Sequence, residues 1–218
     1  MAEGALPFFN QRGDLLVSRN RLGHWQQQGG AVYFLTFRLA DSLPATVLNP
    51  WQLRRDAWLR ENPAPHTPEQ ESDYHFHFTS EWEALLDSGQ GACVLRDPRC
   101  SEAAMAALRH FDGERIGLHA AVVMPNHVHA LFELYPGQGL SRFVGGLKGV
   151  SARNINRLLG LVDTPLWQKD YFDRLVRDES HYGRCVRYIA RNPDKAKLSP
   201  TDYRLFLSER AAVVLPPG

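Results

Sequence analysis

The chain reads as an α+β protein, built on an antiparallel sheet of the ferredoxin-like kind with helices on one face and an insertion after the first strand. Three observations predict this. Strand and helix signals alternate as strand, helix, strand, strand, helix, an order suited to an antiparallel sheet with packed helices. The two apolar runs 115–123 and 127–134 are separated only by Met124-Pro125-Asn126, a strand breaker. A proline-rich stretch, Asn62-Pro63-Ala64-Pro65-His66-Thr67-Pro68, marks a loop inside the segment that interrupts the pattern.

Tyr33-Phe34-Leu35-Thr36-Phe37-Arg38-Leu39 carries the aromatic and β-branched residues of a strand, ended by Ser42-Leu43-Pro44. Residues 45–90 form the insertion, with short helices expected at Trp51–Arg60 and Glu81–Leu86. Asp97-Pro98 opens a helix reaching about His110, its inner face including Met105, Leu108 and Phe111. After the two strands, Pro136-Gly137-Gln138-Gly139 closes the second. Ser141 is the expected N-cap of a helix to Leu159 with a core stripe of Val144, Leu147, Val150, Asn154, Ile155 and Leu158. A last helix begins near Asp178-Glu179-Ser180 and is expected to stop at Asn192, because Pro193 disfavours helical geometry in the residue before it.

With 218 residues the chain can bury a real core, as a single domain (1–218) with an insertion at about 45–90 and a tail at about 199–218. No apolar run approaches bilayer length, and Met1-Ala2-Glu3-Gly4 does not open a signal peptide. Three cysteines without metal-type spacing fit a reduced, cytoplasmic location. The net charge of +1 conceals an asymmetry. Residues 140–200 hold twelve lysines and arginines against six acidic residues, while 50–114 lean acidic. A locally basic half suits a polyanion, or simply a solvated helix face.

The chemistry concentrates in Met124-Pro125-Asn126-His127-Val128-His129. Alternation along a strand points His127 and His129 to one face and Val128, Ala130 and Phe132 to the other. Two neighbouring imidazoles are half of a divalent-metal site. On the last helix Tyr182, Val186 and Ile189 share an apolar face, whereas Tyr188 falls on a polar stripe with His181, Arg184 and Asn192. Tyr188 and Asn192 are one turn apart, a hydroxyl nucleophile beside an amide oxygen that can complete a metal shell. The chain also holds a decoy, His75-Phe76-His77, read as histidines facing water with Tyr74, Phe76 and Phe78 inward. Gly145-Gly146-Leu147-Lys148-Gly149 lacks phosphate-loop spacing.

On these residues the chain resembles the single-tyrosine HUH (histidine-hydrophobic-histidine) transposases. The likeness extends through Leu166-Trp167-Gln168-Lys169-Asp170-Tyr171-Phe172-Asp173, Arg177-Asp178-Glu179 and Tyr188-Ile189-Ala190-Arg191-Asn192-Pro193-Asp194-Lys195-Ala196, and to His24-Trp25 and the strand at 33–39. This order is similar to the REP-associated tyrosine transposase branch. The resemblance implies an HUH-endonuclease fold and cleavage and joining of single-stranded DNA at hairpin-forming, palindromic repeats. It further implies Mg²⁺ or Mn²⁺ and a 5′-phosphotyrosine intermediate. It makes His127, His129 and Asn192 the metal ligands and Tyr188 the nucleophile, with Lys148, Arg153, Arg157 and Arg184 as candidate DNA contacts. It also implies a nucleoid-associated monomer or homodimer. The insertion and the tail depart from the compact pattern.

Two other readings stay open at this point. One is a domesticated, non-cleaving binder of structured single-stranded nucleic acid. The other is a zinc protein using His75, His77, His127 and His129, which requires the insertion to fold back onto the sheet.

Overall fold

A computed structural model describes residues 5–10, 15–19, 23–63 and 67–215. A hairpin of β1 (Leu15–Arg19) and β2 (Gly23–Gln27) precedes the sheet. The sheet strands are β3 (Ala31–Arg38), β4 (Ile116–Val123), β5 (His127–Leu134), β6 (Phe172–Leu175) and β7 (Arg204–Leu207). They lie in the order β6–β3–β5–β4–β7, and every neighbouring pair is antiparallel. The α+β antiparallel class is therefore as expected. Strands β6 and β7 add edges that sequence pattern did not reveal, because both are short and only half-buried.

Alternation sorts the central strands onto two faces. On one face Tyr33, Leu35 and Phe37 of β3 and Val128, Ala130 and Phe132 of β5 meet helices α4 (Pro98–His110) and α5 (Leu140–Leu159). On the other, Val32 of β3, Ala120 and Val122 of β4 and Leu131 of β5 meet Tyr182, Val186 and Ile189 of α6 (Glu179–Lys195). Helices thus cover both faces, not one. An apolar sheet with a second apolar face must bury it too, and the Tyr182–Val186–Ile189 stripe supplies the cover. The histidine pair shares the α6 face, so it sits between sheet and helix.

Several local expectations need correction. Helix α5 is capped by Gly139, while the hydroxyl of Ser141 bonds that of Tyr171 at 3.1 Å. In the α5 stripe Val144, Leu147 and Ile155 are buried together with Phe143, but Asn154 and Leu158 are exposed. The true inner face is rotated toward the 143–147–151 edge. Helix α6 continues through Pro193 to Lys195. Pro193 cannot donate to the carbonyl one turn back, yet the next turn closes through Ala196 N–H to Asn192 O and Leu198 N–H to Pro193 O, both 3.0 Å. Burial of the proline ring holds that turn in place.

The insertion is helical: α1 (Ala45–Glu61), α2 (Pro68–Tyr74), a π-helical turn at His75–Thr79 and α3 (Ser80–Asp87). Helical spacing therefore replaces the strand alternation expected around His75. Phe78 is buried and Tyr74 half-buried on one side, whereas Phe76 is exposed. His77 is also exposed, 3.3 Å from Asp73. The side chains of His24, Trp25 and His75 lie outside the described residues.

Candidate metal and tyrosine site

Strand β5 delivers His127 and His129 to the α6 face, each 1% exposed. Their Nε2 atoms converge to 3.0 Å. Each ring is held from behind. Asn126 donates its amide hydrogens to the carbonyls of Leu86 (3.2 Å) and Gln90 (3.1 Å), which leaves its Oδ1 facing His127 Nδ1 at 2.7 Å. An amide oxygen only accepts, so His127 carries its proton on Nδ1 and presents a bare Nε2. Thr36 lies opposite His129 in the β3–β5 register, and its hydroxyl is 2.7 Å from His129 Nδ1. Such backing orients metal-binding imidazoles and sets their tautomer.

Burial pushes His127 down to about 3 and His129 well below its ordinary range, the latter aided by His127 and Lys195. Both rings are therefore neutral at pH 7, the form that binds metals. With the Thr36 hydroxyl donating to its Nδ1, His129 can carry its proton on Nε2 and donate it to the bare Nε2 of His127 at 3.0 Å, a proton that a cation would displace. Two imidazole nitrogens this close could hold one small divalent ion between them. Among the described residues no three His, Cys, Asp or Glu side chains form a metal-binding group. Asn192 is 1% exposed; its amide interacts with the Tyr188 hydroxyl but makes no hydrogen bond of ordinary geometry. A buried, under-satisfied amide one turn from Tyr188 has the chemistry of an oxygen ligand. The four-histidine zinc arrangement finds no support, since His77 points to solvent.

Tyr188 is half-buried on α6, with its hydroxyl 3.5 Å from His129 Nε2. Phe34 of β3 stacks on His129 (5.5 Å, 27°) and meets Tyr188 edge-on (5.6 Å, 75°), fixing both rings. The insertion supplies what sequence reading missed. Helix α3 brings Glu83 and Asp87, one turn apart, over the site. Asp87 Oδ1 is 4.0 Å from His127 Nε2, and Lys195 Nζ lies 3.4 Å from Asp87 and 3.8 Å from Glu83. Burial raises both carboxyls, partly offset by Lys195. Burial, then Glu83 and Asp87, also hold Tyr188 well above the ordinary phenol range, so it rests as the neutral hydroxyl. The i, i+4 spacing of the two carboxylates was visible in sequence, but nothing there tied them to residues forty positions away.

The other basic candidates scatter. Lys148 points inward, where its ammonium donates to the carbonyls of Gln168 (2.5 Å), Lys169 (2.8 Å) and Asp170 (3.5 Å), and burial lowers it to about 8. It clamps a loop, which corrects its expected role as a phosphate contact. Arg153 and Arg157 are exposed on α5, across the sheet from the histidines. Arg184 is exposed on α6, on the site's side, and donates to Ser180 at 2.8 Å.

Residues 97–192 match the family described as "Transposase IS200 like". Over that stretch, somewhat under half of its length, the chain is similar to the IS200-like transposases. The matched segment runs from the N-cap of α4 to Asn192, so it contains both histidines and Tyr188 but not Thr36, Glu83 or Asp87. An uncharacterized protein of Haemophilus influenzae is 27% identical over 33% of this chain and 51% of its own length. The chain thus spans about half of that curated relative. Among solved structures, a REP-associated tyrosine transposase bound to a REP hairpin is 17% identical with a TM-score of 0.41, covering 83% of this chain and 89% of that one. A protein of Deinococcus radiodurans R1 described as a transposase is 18% identical with a TM-score of 0.33, covering 75% and 91%. Those superpositions are partial, and the architecture of this chain stands on its own strand order. Among its described residues no helix is long and apolar enough to cross a membrane.

Proposed function

We propose that this chain nicks and rejoins single-stranded DNA through Tyr188, assisted by Mg²⁺ or Mn²⁺, at hairpin-forming repeats of the REP-associated kind. The observation that carries the reading is that His129 Nε2 lies 3.0 Å from His127 Nε2 and 3.5 Å from the Tyr188 hydroxyl. His127, His129 and Asn192 would hold the metal. When bound, the ion supplies positive charge that polarises a phosphate oxygen.

The chain's own residues account for the rest. Tyr188 Oη forms a bond to phosphorus as the bond from phosphorus to the 3′ oxygen breaks, leaving a 5′-phosphotyrosine and a free 3′ hydroxyl. The tyrosine proton has an acceptor at hand in Glu83, whose carboxyl interacts with the hydroxyl. Phe34 and the Asn126 and Thr36 bonds keep the reacting groups from drifting, so the geometry is prepared in advance. Attack by a 3′ hydroxyl reverses the step and joins strands without an external energy source. Arg184 beside the site would steer the backbone. In this reading the protein works in the cytoplasm on the nucleoid, as a monomer or homodimer.

The test is a hairpin oligonucleotide labelled on its 5′ or 3′ side, incubated with Mn²⁺ and resolved on a denaturing gel. A covalent adduct is expected with the wild type and none with Tyr188→Phe. An adduct that survives Tyr188→Phe would remove the tyrosine from the mechanism. Tight strand binding with no adduct in any metal would identify a non-cleaving binder instead.

A further inference from the structure

A cavity of about 100 Å³ opens beside His129, between the insertion and the sheet. Its walls are aromatic: Trp51, Phe78 and Trp82 from the insertion, Phe37 and Phe172 from the sheet. Trp51 and Trp82 lie 4.6 Å apart at 41°, and each carries a guanidinium, Arg55 over Trp51 at 5.2 Å and Arg38 over Trp82 at 5.3 Å. Two polar atoms in this lining have no hydrogen-bond partner, the indole N–H of Trp51 and the hydroxyl of Thr79. Both residues are more than nine-tenths buried, at 7% and 8% exposure.

A cluster that served only as the insertion's core would not retain a void, a buried N–H and a buried hydroxyl together, since buried polar groups are nearly always paired. Flat aromatic walls, flanking guanidinium groups and unspent hydrogen-bonding atoms are the chemistry that holds an unstacked nucleobase. At about 100 Å³ the enclosed space is smaller than the roughly 150 Å³ cavity that accommodates benzene, so a base would enter by one edge with the rest in the opening. The cavity shares His129 and Glu83 with the tyrosine site. A nucleotide whose phosphate sits at the histidines therefore has its base next to the opening. We infer that the insertion forms a pocket for one unstacked base of the strand that Tyr188 attacks, an inference that rests on the reading proposed above.

The experiment is a strand-binding assay on the full chain in chelator, so that cleavage plays no part. Fluorescence anisotropy compares dT, dA and dC strands of about 16 nucleotides with an abasic strand of the same length. The wild type should hold base-bearing strands about five- to a hundredfold more tightly than the abasic one, the range expected for one stacked base. Trp82→Ala should abolish most of that ratio and leave abasic binding unchanged. Thr79→Val preserves shape while removing the polar hydrogen, Trp51→Phe keeps an aromatic wall without the indole N–H, and both should reorder the dT, dA and dC affinities. The pocket is overturned if Trp82→Ala weakens both kinds of strand equally. It is equally overturned if Thr79→Val and Trp51→Phe, which decide the matter should Trp82→Ala fail to fold, leave ratio and order intact. Because the readout is metal-free, absence of a Tyr188 adduct would sink the catalytic reading and leave the pocket standing, and an adduct with an unchanged base-to-abasic ratio would do the reverse.

Discussion

Asn126 carries no charge and touches no substrate, yet its removal should disable the histidine pair. Its side chain makes three bonds, to Leu86 O, Gln90 O and His127 Nδ1, at 3.2, 3.1 and 2.7 Å, and it is 1% exposed. Asn126→Ala leaves two carbonyls and one imidazole N–H without partners in a dry interior. At about 1 kcal/mol net for each, unfolding should become easier by about 2–4 kcal/mol. The second consequence is specific to His127. Without an acceptor behind it the ring can rotate or shift its proton to Nε2, the nitrogen that faces His129. Loss of such an orienting partner typically weakens metal binding 10- to 100-fold. Titration of Mn²⁺ followed by electron paramagnetic resonance, with urea unfolding run in parallel, separates the two effects. Unchanged Mn²⁺ affinity alongside the expected loss of stability would refute the orienting role and reduce Asn126 to a strut beneath the insertion.

Metal-free protein should lose stability as pH falls. His127 and His181 have folded values near 3 and 4, lowered chiefly by burial, so below about pH 6.5 the unfolded chain binds protons that the folded chain refuses. Stability is then full above pH 6.5 and declines toward pH 4, opposed in the lower part of that window by Glu83 and Asp87, whose carboxyls are raised. Urea midpoints across this range in His181→Gln should show a shallower slope than wild type, and an identical slope would exclude His181 as a contributor. Lys148→Met should cost about 1–2 kcal/mol, because two half-buried carbonyls and an exposed one lose their donor, without altering the salt dependence of strand binding. Arg184→Gln should do the opposite, leaving stability within about 0.5 kcal/mol and lowering the salt slope by about 0.7. A salt slope that responds to Lys148 but not to Arg184 would reverse these assignments. Lys195→Met, by stripping the cation from between Glu83 and Asp87, should loosen the insertion, read as faster amide exchange across residues 80–87 with the sheet unaffected.

Local pattern was enough for the elements whose side chains follow one period. Strand β5 was legible from His127 to Leu134, with its histidines on one face, because alternation in a buried strand admits one arrangement. The separation of Tyr182 from Tyr188 was legible for the same reason, as helical spacing puts them on different stripes. Pattern failed where a rule competes with packing. Pro193 should end a helix, yet burial carries α6 one turn further, and that turn holds Lys195. His75-Phe76-His77 alternates like a strand, yet it lies in a helix.

What no periodicity could show is which distant groups meet. Thr36 reaches His129 only through the register of β3 on β5, and Asn126 is anchored by carbonyls some forty residues earlier. Glu83 and Asp87 arrive through the docking of an insertion that lies outside the segment shared with the family. By itself the sequence determined the histidine pair on one strand face, the tyrosine on the polar stripe of a later helix and the resemblance that joins them. Tertiary structure decided how they are held, what covers them and which basic residues face away, because those depend on contacts between segments that each obey only their own local rules.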